Sequence, residues 1–232
     1  MEVMAEATGV RIHPSTMSQA LRETGARRGR PRPVVKSPLS ERARKRRLNK
    51  IKKLLKSVPP GEIFLYCDEV QIDLNPKIGY DSTLRGVQKQ VVTPGINEKR
   101  YIAGAMKGWC DRLLWVVGKR KDSTLFVKLL FLLAKVLKSY RRIHLIVDNY
   151  RVHKSKQTQV ALKSLGGKIV LHFLPPYSPQ DNKIENLWLD LHNSVTRNHK
   201  CETLHQLMEN VQAFLVQKAK RFAYEILESQ AA

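Results

Sequence analysis

Acidic residues, cysteines and long apolar runs are all scarce in this chain of 232 residues. Its 20 Asp and Glu side chains are outnumbered by 42 Lys and Arg, which gives a net charge of +22. A field of this sign and size attracts polyanions, and nucleic acid is therefore the expected partner. Charge alone does not separate an enzyme from a structural nucleic-acid-binding protein, because both kinds of protein are basic.

Cysteine usage and hydropathy exclude two further classes of protein. The three cysteines, Cys67, Cys110 and Cys201, are far apart and lack the paired spacing of a zinc site. They are typical of reduced thiols in a cytosolic protein rather than of a disulfide framework. The most apolar run, residues 125–137, contains two lysines and is too short to span a bilayer.

Positive charge is concentrated in the first quarter of the chain. Residues 1–60 contain 16 Lys or Arg and 4 acids, a net of +12, whereas residues 61–232 contain 26 and 16, a net of +10. The stretch Val58-Pro59-Pro60-Gly61 interrupts any regular element between the two parts. We therefore predict a small basic domain over residues 1–60 and a main domain over residues 61–232.

The basic part begins with a predicted helix over residues 14–24. Ser15 can cap its start and Gly25 can end it, while Arg22 lies on its polar face. An ordinary surface helix would have the same pattern. The basic tract that follows favours the recognition helix of a partial helix-turn-helix.

Residues 26–33 read ARRGRPRP and resemble an AT-hook. Glycine and proline keep such a tract extended and narrow, so its arginines can lie along an AT-rich minor groove, although a solvated basic linker would look similar. Residues 41–56 then predict a helix with one apolar stripe and a cationic remainder that contacts phosphates or faces solvent. The candidate DNA-binding residues of the basic part are Arg22, Arg27, Arg28, Gly29, Arg30, Arg32, Arg44, Arg46 and Arg47.

From residue 62 the pattern indicates an α/β domain with a mixed sheet flanked by helices. Four strand patterns predict an antiparallel meander, at residues 63–67, 87–93, 100–106 and 112–117. Helices and strands then alternate as in a parallel crossover, at residues 122–140, 143–147, 155–165 and 168–174. A helix from residue 184 and a last helix or helix pair over residues 202–228 complete the expected domain.

Three carboxylates stand where these elements begin or end. Asp68 follows the first strand, Asp148 follows the strand 143–147, and Glu185 follows a proline-rich turn at the start of a helix. Converging at one edge of the sheet, they would supply the hard oxygen ligands with which Mg²⁺ ions catalyse phosphodiester cleavage. Each acid alone also has an ordinary explanation, since helix starts and strand ends favour carboxylates.

The sequences around these acids resemble one known family. The segments are LYCDE (65–69), VDNYRVHKS (147–155) and LPPYSPQDNKIENLW (174–188). They resemble the DDE transposases of the mariner superfamily, in particular its bacterial insertion-sequence branch. The resemblance runs from about residue 62 to the end of the chain and extends more weakly over the basic part.

This resemblance implies a ribonuclease-H-like core in which Asp68, Asp148 and Glu185 are both the catalytic residues and the metal ligands. It implies cut-and-paste DNA transposition at terminal inverted repeats with two Mg²⁺ ions, for which Mn²⁺ substitutes. The expected partners are the double-stranded transposon ends, a TA target and a second copy of the chain, in the nucleoid of a bacterial cytoplasm. Asn149 and His153 would orient the substrate or a bound water.

Two departures from the family pattern keep other functions open. Asp181 and Lys183 stand where family members often have an apolar residue and a proline, so the turn before Glu185 is expected to be less stiff. The chain also starts near the last helix of the family's helix-turn-helix. The alternatives are an N-terminally truncated, non-catalytic DNA-binding remnant and, third, a nuclease that acts on RNA–DNA hybrids.

Overall fold

The structure is a computed structural model that describes residues 6, 8–26, 38–108, 112–219 and 223–226. The chain divides into two compact units, Met1–Lys36 and Ser37–Ala232. The division therefore lies earlier than the expected boundary at residue 60. The reason is that the helix Glu41–Lys56 uses its apolar stripe within the second unit, where Ile51 is buried in the core.

The described part of the first unit contains helix α1 (Pro14–Glu23), as predicted. Its cap is His13 rather than Ser15, because the His13 side chain accepts a hydrogen bond from the Ser15 backbone N–H. None of the residues of α1 is buried, and Arg22 donates from Nε to the Ser18 carbonyl at 3.2 Å. The AT-hook-like tract and its arginines at 27–32 lie outside the described residues.

The second unit is built on one six-stranded sheet in the order β5-β4-β1-β2-β3-β6. The strands are β1 Glu62–Asp73, β2 Lys99–Lys107, β3 Arg112–Gly118, β4 Arg142–Val147, β5 Ile169–Phe173 and β6 Ala223–Ile226. Strands β1, β2 and β3 pair antiparallel, whereas β4 pairs parallel with both β1 and β5. Three of the four strands of the predicted meander and the predicted parallel crossover are therefore present in a mixed sheet.

Five helices accompany the sheet in the described part of the second unit. They are α2 Glu41–Lys56, α3 Ser123–Val136, α4 Lys156–Ser164, α5 Ile184–Leu191 and α6 Leu204–Lys218. Short 3-10 turns occur at Arg151–Lys154 and Pro179–Asp181, and a π-helical turn, His192–Thr196, continues α5. The predicted final helix is too long, since α6 ends at Lys218 and residues 223–226 pair with β3.

The strand predicted over residues 87–93 is wrong. Residues 74–98 instead form an irregular connection between β1 and β2. Within the predicted strand Val87 is 58% and Val92 88% exposed, so the alternation that predicted a strand has no buried face to fill. The connection is held by Asn198, which lies two residues after the π-helical turn. The Asn198 side chain accepts a hydrogen bond from the Gly79 backbone N–H at 3.0 Å and donates one to the Gly79 carbonyl at 3.2 Å.

Two apolar cores cover the two faces of the sheet. One contains the inward residues of α2, α5 and α6, and the other contains those of α3 and α4. Along β1 the side chains alternate between them, since Phe64 and Tyr66 enter the first core while Leu65 and Cys67 enter the second. Continued by one residue, this alternation directs Asp68 to the face that α5 covers.

Candidate active site

The parallel pairing of β1 with β4 places Asp68 beside Asp148. The last paired residues are Tyr66 and Ile146, so two residues further along each strand Asp68 is level with Asp148. Neighbouring strands lie about 4.8 Å apart, which brings the two acids to the same point of the sheet. Contrary to expectation, β1 does not end at Asp68 but continues to Asp73, paired with β2. It is β4 that ends here.

Helix α5 brings Glu185 to the same place. Four of its residues, Ile184, Leu187, Trp188 and Leu191, are buried in the core on this face of the sheet. The turn before the helix is fixed to β1, because the buried Asn182 donates from Nδ2 to the carbonyl of Cys67 at 3.1 Å. This bond joins the chain three residues before Glu185 to the residue before Asp68.

Asp68 and Glu185 perturb each other strongly. Burial first, and then the negative charges of Glu185 and Glu69, raise the pKa of Asp68 to about 8. Burial and the charge of Asp148 raise the pKa of Glu185, although a hydrogen bond with Asp68 partly opposes this. An acid whose pKa is near 8 is protonated at neutral pH, so this pair holds a proton where two free carboxylates would repel each other.

Asp148 is held by His153, whose ring lies between two acids. His153 Nδ1 is 3.1 Å from Asp148 Oδ1, and its Nε2 is 3.0 Å from Glu69 Oε1. Burial lowers the pKa of His153, but the hydrogen bonds with Asp148 and Glu69 outweigh it and raise that pKa to about 9. Burial raises the pKa of Asp148, but the hydrogen bonds with His153 and the Tyr150 backbone, together with the charges of His153 and Lys121, outweigh burial, so the net shift is downward. The imidazolium thus keeps Asp148 ionised.

Lys121 is a cation of this site that the sequence reasoning missed. Its Nζ lies 3.6 Å from Glu69 Oε2 and 4.9 Å from the centre of the Tyr150 ring. Its charge lowers the pKa of Asp68, Asp148 and Glu185. The available signal was the basic run Lys119-Arg120-Lys121, which directly follows the end of β3.

The proline-rich turn is held from outside by Arg44 of α2. Arg44 Nε donates to Ser178 Oγ at 3.1 Å, and its Nη2 lies 3.7 Å from Asp181 Oδ2. Arg44 was expected to contact DNA, and the structure instead places it against this turn. The same contact explains Asp181, whose carboxylate replaces an apolar residue of the family pattern and provides the partner for the guanidinium.

Three more predicted residues, Arg46, Arg47 and Asn149, lie in the described part of the second unit. Arg46 and Arg47 are exposed on α2. Asn149 donates from Nδ2 to the carbonyl of Leu174, which ties the end of β4 to the start of the proline-rich turn. Lys183, the other departure from the family pattern, places its ammonium group 5.7 Å from the centre of the Tyr66 ring.

The donor atoms of this site fit a hard divalent cation in kind. They are carboxylate oxygens, and the pKa values of Asp68 and Glu185 are raised at a position where a cation would balance their charge. Within the residues that the structure describes, no three His, Cys, Asp or Glu side chains are already arranged to hold a metal ion. The third acid, Asp148, is engaged by His153 instead.

A protein-family model described as DDE superfamily endonuclease matches residues 64–208, which include all three carboxylates. The chain belongs to the DDE superfamily endonucleases. The chain is similar in sequence to the insertion element IS630 uncharacterized 39 kDa protein of Shigella sonnei, with 40% identity over 212 residues. The match covers 90% of this chain but 60% of that protein, so this DDE chain spans somewhat under two thirds of the relative's length.

Solved structures of Mos1 transposase share the fold. The Mos1 paired-end complex with the left transposon end has a TM-score of 0.58 at 17% identity, covering 95% of this chain and 78% of that one. The mariner Mos1 paired-end complex with Mg has a TM-score of 0.61 at 17% identity, covering 94% and 70%. The predicted ribonuclease-H-like α/β fold is thereby confirmed.

Among the described residues, no helix is long and apolar enough to cross a bilayer.

Proposed function

We propose that this DDE endonuclease is an insertion-sequence transposase that cuts DNA at terminal inverted repeats and transfers the cut strand to a new site. One observation carries the proposal. The buried Asp68 and the half-buried Glu185 come from different elements and both have raised pKa values, and Asp148 stands level with Asp68 on the neighbouring strand. A protein gains nothing in stability from crowding acids in this way, whereas a phosphodiester-cutting site requires it.

The proposed cofactor is a pair of Mg²⁺ ions, for which Mn²⁺ substitutes, held by Asp68, Asp148 and Glu185. When bound, the ions would activate the attacking oxygen and neutralise the charge that develops on the leaving oxygen. The structures of the Mos1 complexes with Mg and with Mn support this choice by analogy of fold. Carboxylate oxygens are also the ligands that both ions accept.

The chain's own residues hold the reacting groups. His153 fixes the orientation of Asp148 through its short contact, and Asn149 keeps the end of β4 against the proline-rich turn. Lys121 supplies a positive charge beside the three acids, where it would attract a phosphate.

In the proposed cleavage, a water oxygen bonds to phosphorus while the bond to the 3′-oxygen breaks. The freed 3′-hydroxyl then attacks a target phosphodiester in the same way, releasing a target 3′-oxygen.

The proposed partners are double-stranded transposon ends, a TA target and a second copy of the chain, in the nucleoid of a bacterial cytoplasm. Arg46 and Arg47 on the exposed face of α2 would contact phosphates, as would Arg22 on α1. The tract with Arg27, Arg28, Gly29, Arg30 and Arg32 would follow a minor groove. Arg44 is given a different role here, that of holding the turn before Glu185.

The test uses purified protein and a duplex carrying the DNA that flanks the reading frame. With Mg²⁺ or Mn²⁺ the protein should nick this duplex at the element's end, and Asp148→Asn should abolish nicking. Asp190→Asn removes a carboxylate of α5 that pairs with Lys218 instead, and it should leave nicking intact. Equal nicking by Asp148→Asn, or salt-sensitive binding without any metal-dependent nicking, would contradict the proposal.

A further inference from the structure

Gly104 on β2 is the Cα partner of Asp68 on β1. Its backbone φ is not in the left-handed region, so its conformation does not require glycine. Space does. A Cβ at this position would lie 2.8 Å from Cη2 and 2.9 Å from Cζ2 of Trp188, and 3.4 Å from Cδ1 of Ile184. Ordinary carbon contacts are about 3.5–4.0 Å, so no other residue fits without displacement.

Trp188 belongs to α5, three residues after Glu185, and is only 3% exposed. Its indole N–H has no hydrogen-bond partner among the described residues, so packing alone fixes the ring. The depth at which this ring rests on β2 therefore sets the distance of α5 from the sheet. Because α5 is a single helix of eight residues, that depth also sets the position of Glu185.

We propose that Gly104 is a positioning residue for Glu185. By lacking a side chain, it lets Trp188 lie directly on β2 beside Asp68, and this fixes the separation of the Asp68 and Glu185 carboxyl groups. Relief of a 2.8 Å contact requires a shift of roughly 1 Å, while functional constellations tolerate only about 0.5 Å. The inference rests on the proposed metal site for its binding readout and on the proposed cleavage only for its catalytic readout.

Gly118 provides a matched control on the other face of the sheet. A Cβ there would lie 2.9 Å from Cδ1 of Leu125, a residue of α3 in the opposite core. Gly104→Ala and Gly118→Ala thus introduce the same extra methyl group with a similar clash. Both should lower the melting temperature, but only the first should displace α5.

Trp188→Phe provides the rescue. Phenylalanine lacks the outer ring atoms that meet the added Cβ, and it sacrifices no hydrogen bond because the indole N–H makes none within the described chain. The double variant Gly104→Ala/Trp188→Phe should therefore let α5 return toward the sheet. A general loss of stability would not be reversed by a second, normally destabilising change.

The experiment titrates Mn²⁺ into the full chain and follows free Mn²⁺ by electron paramagnetic resonance, with Asp148→Asn as the background. Gly104→Ala should weaken Mn²⁺ binding roughly tenfold or more, as loss of a supporting contact does at metal sites. Gly118→Ala should bind like the wild type, and the double variant should recover to the affinity of Trp188→Phe alone. Nicking rates should follow the same order.

Equal Mn²⁺ binding by the wild type and Gly104→Ala, including no binding by either, would overturn the role of Gly104. So would equal weakening by Gly118→Ala, or a double variant that stays as weak as Gly104→Ala. A wild type that binds Mn²⁺ in this order but never nicks DNA would overturn the proposed function and still support the role of Gly104. The two failures are therefore distinguishable.

Discussion

Strand β1 has a buried acid at or near each end of the stretch that it pairs with β4, Glu62 and Asp68, and the surroundings of these two acids differ. At the start of the strands, Glu62 receives Arg141 at 2.6 Å and His144 at 2.8 Å. His144 in turn contacts His172 at 2.8 Å between ring nitrogens. The hydrogen bond with His144, followed by that with Arg141, lowers the pKa of Glu62. At this end the buried carboxylate therefore has hydrogen-bonding partners that stabilise its negative charge.

Near the other end of this paired stretch, Asp68 lies close to the acids Glu185 and Glu69, and the positive charge of Lys121 does not neutralise them all. Its pKa is raised to about 8, and the nearby Lys121 is itself drawn to Glu69. The same pair of strands can thus neutralise a buried carboxylate, as it does at Glu62. Leaving Asp68 and Glu185 without such neutralisation marks a site that is completed by something the chain does not supply.

The largest expected effect is the loss of nicking activity when Asp68 is replaced. Asp68→Asn should reduce metal-dependent nicking by about a thousandfold or more, because several kcal/mol of charge stabilisation are lost with one ligand. It should leave the melting temperature of the metal-free protein unchanged or higher, since it relieves repulsion. Nicking rates and thermal unfolding measure the two effects, and a variant that nicks at the wild-type rate would contradict the assignment.

The next effect concerns the contact from α2 to the proline-rich turn. Arg44→Ala removes the partners of Ser178 and Asp181, so the turn before Glu185 should loosen and the turnover rate at saturating DNA should fall about tenfold. Arg46→Ala removes an exposed charge from the same helix and should instead weaken DNA binding and its salt dependence. Loss of binding with unchanged turnover in Arg44→Ala would return Arg44 to the DNA-contacting residues.

Glu62→Gln should do the reverse of Asp68→Asn. It leaves His144 and Arg141 without their anionic partner, and we expect a lower free energy of unfolding than that of the wild type. Nicking at saturating metal should be unchanged, because Glu62 lies at the far end of β1. Chemical denaturation and nicking assays on the same preparation check both statements.

The smallest effect is the pH dependence of the metal-free protein. The raised pKa of Asp68 gives a contribution to stability that is complete below the ordinary pKa of 3.8 and is lost as the pH rises through about 8. The lowered pKa of Glu62 has the opposite effect, since its contribution to stability is present above the ordinary pKa of 4.5 and is lost as the pH falls through the lower pKa of the folded state. Subtracting the unfolding free energies of Asp68→Asn from those of the wild type, pH by pH, should show a decline between about pH 4 and pH 8. A flat difference would contradict the raised pKa.

Much of the fold and the identity of the three acids follow from local sequence. Hydrophobic patterning located β2, β3 and β4 closely, and the segments around Asp68, Asp148 and Glu185 indicated the family. Patterning failed at residues 87–93, where apolar alternation faces solvent, and at β6, which depends on pairing with a distant strand. Local signals cannot report whether a partner exists to cover an apolar face.

The arrangement around the acids lay beyond sequence reasoning for the same reason. Arg44 looked like a DNA contact because its partner Ser178 lies 134 residues away in the chain. Lys121 contacts Glu69, 52 residues away, and Gly104 acquires its meaning only from Trp188. Likewise, the proton held by Asp68 and Glu185 results from burial and proximity, which no residue type encodes by itself.

The most direct measurement of the central claim is the proton released when a divalent cation binds. Isothermal titration of Mn²⁺ at pH 7, in buffers with different enthalpies of ionisation, counts this proton. If Asp68 and Glu185 hold a proton that the cation displaces, the wild type should release about one proton per binding event, and Asp68→Asn none. Mn²⁺ binding by the wild type without any proton release would contradict the account.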